Sequence, residues 1–341
     1  MASPSTALRH VLHATALEDP VWDRLRARAV EHRRTDARTD AAAGRTIGLL
    51  FFNPSLRTRT SMEVAAAHLG ADSTTLTPGE GTWNLAWTDG AVMDGDAAEH
   101  VREAIGVLSR YHDALGVRVF ASGTDYEADK RDALIRRVAE VATVPVVNLE
   151  SAWAHPCQAV SDASLLTDRF DGKPAGKDFV LAWTYHPKAL PMAVPNSTVK
   201  MAARSGMNVT VARPETHALD DDVMDAARGL AEPHGATVTA TDDLDAAVAG
   251  ADVVYAKSWG GPLVYTDPER EAEVRTGSRD WRITADRMAR TDDGAFMHCL
   301  PVRRNVVVDD AVMDGPHAAH LDQAEYRLHA QKALLEYVWD V

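Results

Sequence analysis

Short apolar runs recur along this chain, most of them followed by a stretch patterned as a helix, and this alternation constrains the fold more than any other feature. The runs fall at residues 46–50, 115–120, 144–149, 179–183, 208–211, 237–239, 252–255 and 295–298, with a shorter strand at 72–76. Helical patterns occupy about 61–69, 98–111, 126–141, 158–168, 193–205, 220–232 and 243–249. Strands joined through helices of this length make βαβ units, and βαβ units make parallel sheets. At 341 residues the chain is long enough for two domains with full cores. The series begins afresh after His155-Pro156-Cys157-Gln158, so two α/β domains meeting near residue 155 are expected. Residues 8–44 and a closing stretch at about 322–338 also read as helical. Between 78 and 90 the pattern suits neither helix nor strand, yet that loop carries Trp83 and Trp87, and exposed aromatics of this kind usually have a partner to cover.

In open α/β sheets ligands bind at the carboxyl ends of the strands. The polar residues at those ends are Ser55 to Thr60, Arg118, Glu150 with His155 and Gln158, His186, Lys257, and Cys299-Leu300 with Arg303 and Arg304. Each has a bland explanation on its own. Arg118 suits a partner carboxylate, His155-Pro156 suits a helix start, and Cys299 suits a small core position. Their shared placement at the ligand edge is what scattered core residues would not produce. The segment Ser55-Leu56-Arg57-Thr58-Arg59-Thr60 stands out, because it joins a buried strand to a helix start. Free backbone N–H groups and the positive helix end favour an anion there, and arginine forks match phosphate oxygens. A capped helix start with solvated arginines would carry the same residues.

Composition removes several alternatives. A net charge of −14 argues against nucleic acid or an anionic membrane as the main partner. Cys157 and Cys299 are the only cysteines, so neither a disulfide framework nor a zinc site is indicated. No apolar run approaches membrane-spanning length and the start lacks a signal-peptide pattern, so a soluble cytoplasmic protein is expected. Gly79-Glu80-Gly81 is not continued into a dinucleotide fingerprint, and Gly172 to Asp178 lacks the Ser/Thr of a P-loop. Asp94-Gly95-Asp96 and Asp220-Asp221-Asp222 read as a turn and a helix start rather than a metal site.

With these residues assembled, the chain resembles the aspartate/ornithine carbamoyltransferase family. The matching motifs are Ser55 to Thr60, Gly116-Val117-Arg118, His155-Pro156-Cys157-Gln158 and His298-Cys299-Leu300-Pro301. Within that family it is similar to the branch acting on N-acylated ornithine, through Phe51-Phe52-Asn53-Pro54-Ser55, Met93-Asp94-Gly95-Asp96, Tyr255-Ala256-Lys257-Ser258-Trp259 and Leu300 to Asn305. The Asp-x-x-x-Ser-Met-Gly type of motif that grips a free α-amino group is not visible. The resemblance implies two α/β domains: residues 1–154 with 322–341 for carbamoyl phosphate, and 155–321 for acylated ornithine. The C-terminal helix would pack back on the first domain. It also implies a homotrimer in which the loop around Trp83 reaches the neighbouring subunit's site.

The implied reaction moves a carbamoyl group from carbamoyl phosphate to the δ-amine of an acylated ornithine, with no metal or organic cofactor. By that resemblance Ser55, Leu56, Arg57 and Thr58 cradle the phosphate, while Trp83 of the adjacent chain and Arg327 close the pocket. Arg118, His155 and Gln158 donate to the carbonyl oxygen as it gains charge. Cys299 and Leu300 hold the δ-amine in line for attack. Glu150 and Lys257 contact the ornithine moiety, and His186 and Arg303 lie nearer the acyl end. Ala98 stands where acetyl enzymes carry a glutamate and succinyl enzymes a small or imino residue, and Val307 where the acetyl type carries a lysine. With the form of Leu190 to Ser197 and the Glu150/His155 spacing, these features favour N-succinyl-L-ornithine over N-acetyl-L-ornithine. Ornithine itself, a non-catalytic sensor of phosphorylated metabolites and a nicotinamide oxidoreductase are disfavoured.

Overall fold

The computed structural model describes residues 8–341, which divide into two compact units. The first comprises the described residues through Ala121, then Ala128–Cys157 and Arg327–Val341. The second comprises Ser122–Glu127 and Gln158–Tyr326. Apart from the short exchange at Ser122–Glu127, the crossings lie at 157/158 and 326/327, inside helices, where the sequence suggested 154/155 and 321/322.

In the first unit, a 3-10 turn at Ala14–Ala16 leads into α1 (Asp19–Thr35), followed by β1 (Thr46–Phe51), α2 (Arg57–His68) and β2 (Asp72–Leu76). Next come β3 (Leu85–Ala86), β4 (Glu99–His100), α3 (Val101–Tyr111) and β5 (Ala114–Arg118). α4 (Tyr126–Lys130), whose first two residues belong to the second unit, α5 (Ala133–Val141) and β6 (Val146–Glu150) complete the run. The main sheet is parallel, in the order β2-β1-β5-β6. β1 and β5 are apolar on both faces because helices cover both. Val101, Ala104 and Ile105 of α3 are buried at helical spacing, and Ile105 joins Leu115, Val117, Ile135 and Val146 in one core.

Three helical expectations here are corrected. The stretch 8–44 is helical only over Ala14–Ala16 and Asp19–Thr35, because Asp36 turns left-handed (φ 45°) and ends α1. The chain then binds the end of α2 instead, through Thr39 N to His68 O (2.8 Å) and Ala42 N to Leu69 O (2.8 Å). The helix expected from 98 begins at Val101, since residues 99 and 100 pair with Leu85 and Ala86. The single helix expected over 126–141 is broken at Asp132 (φ 56°). That carboxylate turns inward to accept from Ser151 Oγ (2.6 Å) and lies 3.2 Å from His13 Nε2.

In the second unit the elements are α6 (Pro156–Arg169), β7 (Asp178–Trp183), α7 (Ala193–Arg204), β8 (Asn208–Ala212), α8 (Asp221–Ala231), β9 (Val238–Thr241) and α9 (Leu244–Ala247). There follow β10 (Val253–Lys257), α10 (Leu263–Thr266), α11 (Pro268–Gly277), α12 (Ala285–Met288), β11 (Ala295–Met297), α13 (Asp310–Met313) and α14 (His320–Trp339). This sheet is also parallel, ordered β11-β10-β7-β8-β9. Helices α10 to α13 are short or polar and were not visible as apolar runs. Asp220 caps α8, its carboxylate accepting from Asp222 N (2.9 Å) and from the Tyr126 hydroxyl, as the helix-start reading required. No helix among the described residues is long and apolar enough to cross a membrane.

The C-terminal part of α14 belongs to the first unit. Arg28 there grips Glu336 with two bonds of 2.8 Å, Lys332 donates to the Ala37 carbonyl, and Arg9 pairs with Asp340.

Candidate active site

Each sheet has one place where the strand order reverses, and the residues singled out by sequence gather there. In the first unit the chain leaves β1 towards β2 on one side, then returns to lay β5 on the other. The crevice at such a reversal is where an open α/β sheet receives a ligand. In the second unit the chain runs outward from β7 through β8 to β9, then returns to place β10 on β7's free side.

At the first reversal, the carboxyl ends of β1 and β5 are tied together. Phe52 N donates to Arg118 O (3.0 Å), and Phe120 N donates to Asn53 Oδ1 (2.8 Å). α2 starts at Arg57, so Thr58 lies within its first turn. Ser55 Oγ accepts from Thr58 N (3.2 Å), and Thr60 Oγ donates to Leu56 O (2.8 Å). Thr58 is buried, and Arg327 Nη2 of α14 donates to its hydroxyl at 3.0 Å. Arg59 points elsewhere, pairing with Glu63 (3.1 Å), which also accepts from Thr75 (2.6 Å). Arg57 is half-buried and Leu56 is exposed.

Arg118 ends β5, and a bulge places it opposite Glu150 rather than Leu149 of β6. The two buried side chains form an ion pair through Arg118 Nη1 and Glu150 Oε2. The partner carboxylate that the bland reading of Arg118 required is therefore Glu150. Phe120 lies under the guanidinium, 4.4 Å from ring centroid to Cζ, while Nε makes no hydrogen bond among the described residues. His155 Nε2 stands 3.5 Å from the same Glu150 oxygen. The turn bearing His155 is held from below. Asn148 Nδ2 donates to Leu12 O and Ser151 Oγ (2.8 Å each), and the Cys157 thiol donates to Asn148 O (3.4 Å). Burial pushes the Cys157 thiol up to about 11, which keeps it protonated, though Arg327 pulls the other way.

Trp83 and Ala98 belong to this unit. Trp83 is 56% exposed, with Nε1 donating to Glu99 Oε2 (2.6 Å). Ala98 is exposed just before β4. Behind the loop, Phe52 packs on Trp87 at 5.2 Å, so Trp87 has an intrachain partner.

In the second unit a buried carboxylate that sequence reading missed organises two predicted residues. Asp162 Oδ1 accepts from Gln158 Nε2 (2.7 Å) and from Gln323 Nε2 (2.8 Å). Gln323 Oε1 in turn accepts from His298 N (2.8 Å), and His298 Nδ1 accepts from Leu300 N (2.8 Å). Gln158 and the Cys299-Leu300 turn thus share one anchor. Leu300 is left-handed (φ 57°), an unusual conformation for a branched side chain that the surrounding bonds impose. The four-residue spacing of Gln158 and Asp162 on one helix face was the available signal. Cys299 is half-buried and not disulfide-bonded.

Lys257 ends β10 opposite Trp183 of β7, buried, with Nζ donating to Ser258 O (3.0 Å). His186 follows β7. Its Nε2 accepts from Arg303 Nε (3.0 Å), and on the other side of the ring Nδ1 lies 2.9 Å from Lys188 O and 3.0 Å from Lys188 N. Burial, then the charges of Arg303, Lys257 and Arg275, hold its pKa below the ordinary histidine value, against the bond to Lys188. His186 is therefore a neutral ring among three cations. Arg303 is exposed, and the bond to His186 is the only side-chain hydrogen bond it makes among the described residues. Arg304 is engaged differently, braced on Asp310 (2.9 Å) and Asp314 (2.7 Å). Val307 is buried in the core with Ile283 and Phe296.

The first unit therefore gathers Ser55, Leu56, Arg57, Thr58, Arg118, Glu150, His155 and Arg327. The second gathers Gln158, His186, Lys257, Cys299, Leu300 and Arg303.

Comparison with known proteins bears on both sets. Residues 9–168 match the carbamoyl-P binding domain of aspartate/ornithine carbamoyltransferases, and residues 192–338 match the Asp/Orn binding domain. The chain is similar to N-acetylornithine carbamoyltransferase of Xanthomonas campestris pv. campestris, at 42% identity over 333 residues, 96% of this chain and 97% of that one. It is similar to N-succinylornithine carbamoyltransferase of Bacteroides fragilis at 35% over 283 residues, covering 83% and 84%. Among solved structures it resembles an N-acetyl-L-ornithine transcarbamylase variant, with one glutamate replaced by proline, complexed with carbamyl phosphate and N-succinyl-L-norvaline. That TM-score is 0.93 at 41% identity, covering 97% of this chain and 100% of the other.

Proposed function

We propose that this chain, which belongs to the aspartate/ornithine carbamoyltransferase family, carbamoylates the δ-amine of N-succinyl-L-ornithine, giving N-succinyl-L-citrulline and phosphate. In this reading the first turn of α2, with Ser55, Leu56, Arg57 and Thr58, holds the phosphate of carbamoyl phosphate, as a helix N-terminus does for anions. Arg327, fixed on Thr58, adds a fork to the same group. Arg118 and His155 are oriented by Glu150, and Gln158 by Asp162; all three donate to the carbamoyl oxygen as it becomes anionic. The buried Arg118 Nε–H is a donor that such an oxygen would satisfy. Cys299 and Leu300 align the δ-amine, Glu150 and Lys257 contact the ornithine moiety, and His186 and Arg303 take the acyl end. Trp83 serves a neighbouring copy's site in a homotrimer.

The observation that carries the acyl choice is the cationic cluster around neutral His186. A terminal carboxylate gains from Arg303 and Lys257, whereas an acetyl methyl gains nothing. Ala98 supports this, being small and uncharged. We read the glutamate exchanged in the N-succinyl-L-norvaline complex as the one whose place Ala98 takes. The acetyl reading draws on the higher overall identity to the acetyl enzyme (42% against 35%), a figure that weighs the whole fold rather than the acyl end. A ureido-specific colour assay with carbamoyl phosphate and succinylornithine, acetylornithine or ornithine tests both parts. The expected order of kcat/KM is succinyl, acetyl, then ornithine. Preference for acetylornithine would overturn the acyl assignment, and turnover of none would overturn carbamoyl transfer to ornithine derivatives.

A further inference from the structure

Helix α11 contains a buried ion pair with no partner role in the reaction as described. Glu271 and Arg275 are 3% and 8% exposed, one helical turn apart. Arg275 Nε donates to both Glu271 oxygens (2.9 and 3.1 Å), and neutral His217, its pKa lowered mainly by burial, stands 3.6 Å from the same carboxylate. Burying such a pair gives little net stability, since desolvation offsets the attraction. A second nitrogen of the arginine explains the geometry: Arg275 Nη1 reaches the backbone oxygen of His186 at 3.1 Å. The same segment takes hold of the preceding residue twice more. Tyr185 N donates to Trp281 O (2.7 Å), and Arg279 lies over the Tyr185 ring at 4.8 Å. Glu271 and His217 are themselves set against rigid aromatic packing. His217 lies 4.4 Å from the Trp183 ring, and Trp259 Nε1 donates to His217 O (3.0 Å).

We propose that Arg275, locked by Glu271, is a positioning residue for acyl-tail recognition: it fixes His186, whose ring holds Arg303 by Nε and so presents the guanidinium's two Nη groups to the tail's carboxylate. This rests on the assignment of His186 and Arg303 to the acyl end. Only an arginine can make the connection. One edge of its planar fork binds Glu271 while the far nitrogen crosses to the loop, and a lysine ammonium cannot span both.

The test uses the full-length enzyme and four proteins: wild type, Arg275→Lys, Arg303→Ala and the double variant, with Glu271→Gln replacing Arg275→Lys if that variant fails to fold. Arg275→Lys should lower kcat/KM for succinylornithine about tenfold, nearly all in KM, and for acetylornithine no more than about twofold. The carbamoyl phosphate KM should stay unchanged. In the Arg303→Ala background the same substitution should add almost nothing, because coupled residues are not additive. Equal losses with both acyl substrates, additivity with Arg303→Ala, or wild-type kinetics in Arg275→Lys would each overturn the proposal. If wild type does not use succinylornithine, the acyl reading has failed already in the parent. The Arg275–Arg303 coupling measured with acetylornithine would then show whether Arg275 positions Arg303 at all, and additivity there would overturn that as well.

Discussion

Asp162 offers a quantitative handle on how the second unit holds its share of the machinery. Its carboxylate accepts two buried amide bonds, from Gln158 at 2.7 Å and Gln323 at 2.8 Å. Asp162→Asn keeps the shape and one acceptor oxygen but removes the charge. A hydrogen bond to a charged group contributes about 1.5–3 kcal/mol and a neutral one about 0.5–1.5, so two bonds weakened together cost about 2–3 kcal/mol. Asp162→Ala removes the acceptor, leaving two buried amides unsatisfied at about 1–3 kcal/mol each. In unfolding monitored by denaturant and by heat, the asparagine variant should lose about 5–10 °C, at roughly 2–4 °C per kcal/mol for a unit of this size. Activity should fall further than stability alone predicts, because Gln323 also holds the backbone of His298 and hence the Cys299-Leu300 turn. A kcat about tenfold lower at a temperature where the variant is fully folded is the expected result, equal to about 1.4 kcal/mol of transition-state stabilisation. If Asp162→Asn matches wild type in midpoint and kcat, Asp162 is not the anchor described.

Three further outcomes follow from other parts of the molecule. Ala98→Glu should penalise succinylornithine by about 1–4 kcal/mol through like-charge contact while sparing acetylornithine, and an unmoved kcat/KM ratio would argue against the acyl reading. Mixing inactive Trp83→Ala chains with inactive Arg57→Ala chains should restore some activity after subunit exchange, since some sites then hold one intact copy of each; no recovery despite proven exchange would exclude a loop serving its neighbour. Burial alone would raise the Glu336 pKa, but hydrogen bonds from Arg28 and His32 prevail and set it at about 2. A lowered carboxylate stabilises the fold fully above its unfolded value of 4.5 and less as pH falls towards 2, a difference of about 3 kcal/mol. Denaturation curves of Glu336→Gln should lose that slope; an unchanged slope would assign the acid sensitivity elsewhere.

The sequence showed the strands and the ligand edge clearly, because parallel strands covered on both faces must be apolar runs and their carboxyl ends must carry the polar groups. It concealed whatever depended on buried polar contacts. Asp132 breaks a helix whose local pattern was continuous, since its carboxylate serves Ser151 rather than the helix. α11 reads as a solvated polar segment, yet Glu271 and Arg275 are buried, each neutralising the other. Gln323 and Asp162 meet across 161 residues of chain, a distance no local pattern can signal. The side chains proposed to touch substrate stand in motifs a sequence displays, whereas the buried groups that hold them in place do not.

The first unit is assembled from chain segments made at very different times. Arg327 binds Thr58 across 269 residues, and Glu336 binds Arg28 across 308. At roughly 5–20 residues per second, a ribosome needs about 15–50 s between making Thr58 and making its partner. During that interval Arg28 has only Glu31 of its own helix to pair with, His32 lacks Glu336, and the Thr58 hydroxyl lacks its donor Arg327. Most of the second unit, Gln158–Tyr326, is continuous and can fold as it emerges. In a nascent chain the first unit is therefore completed only after most of the second has been made. A chain lacking the last turns of α14 would lose Arg327 and Glu336 together, so Thr58 and Arg28 would each be left without a partner made hundreds of residues later, and in the proposed function the phosphate pocket would lack one of its arginines.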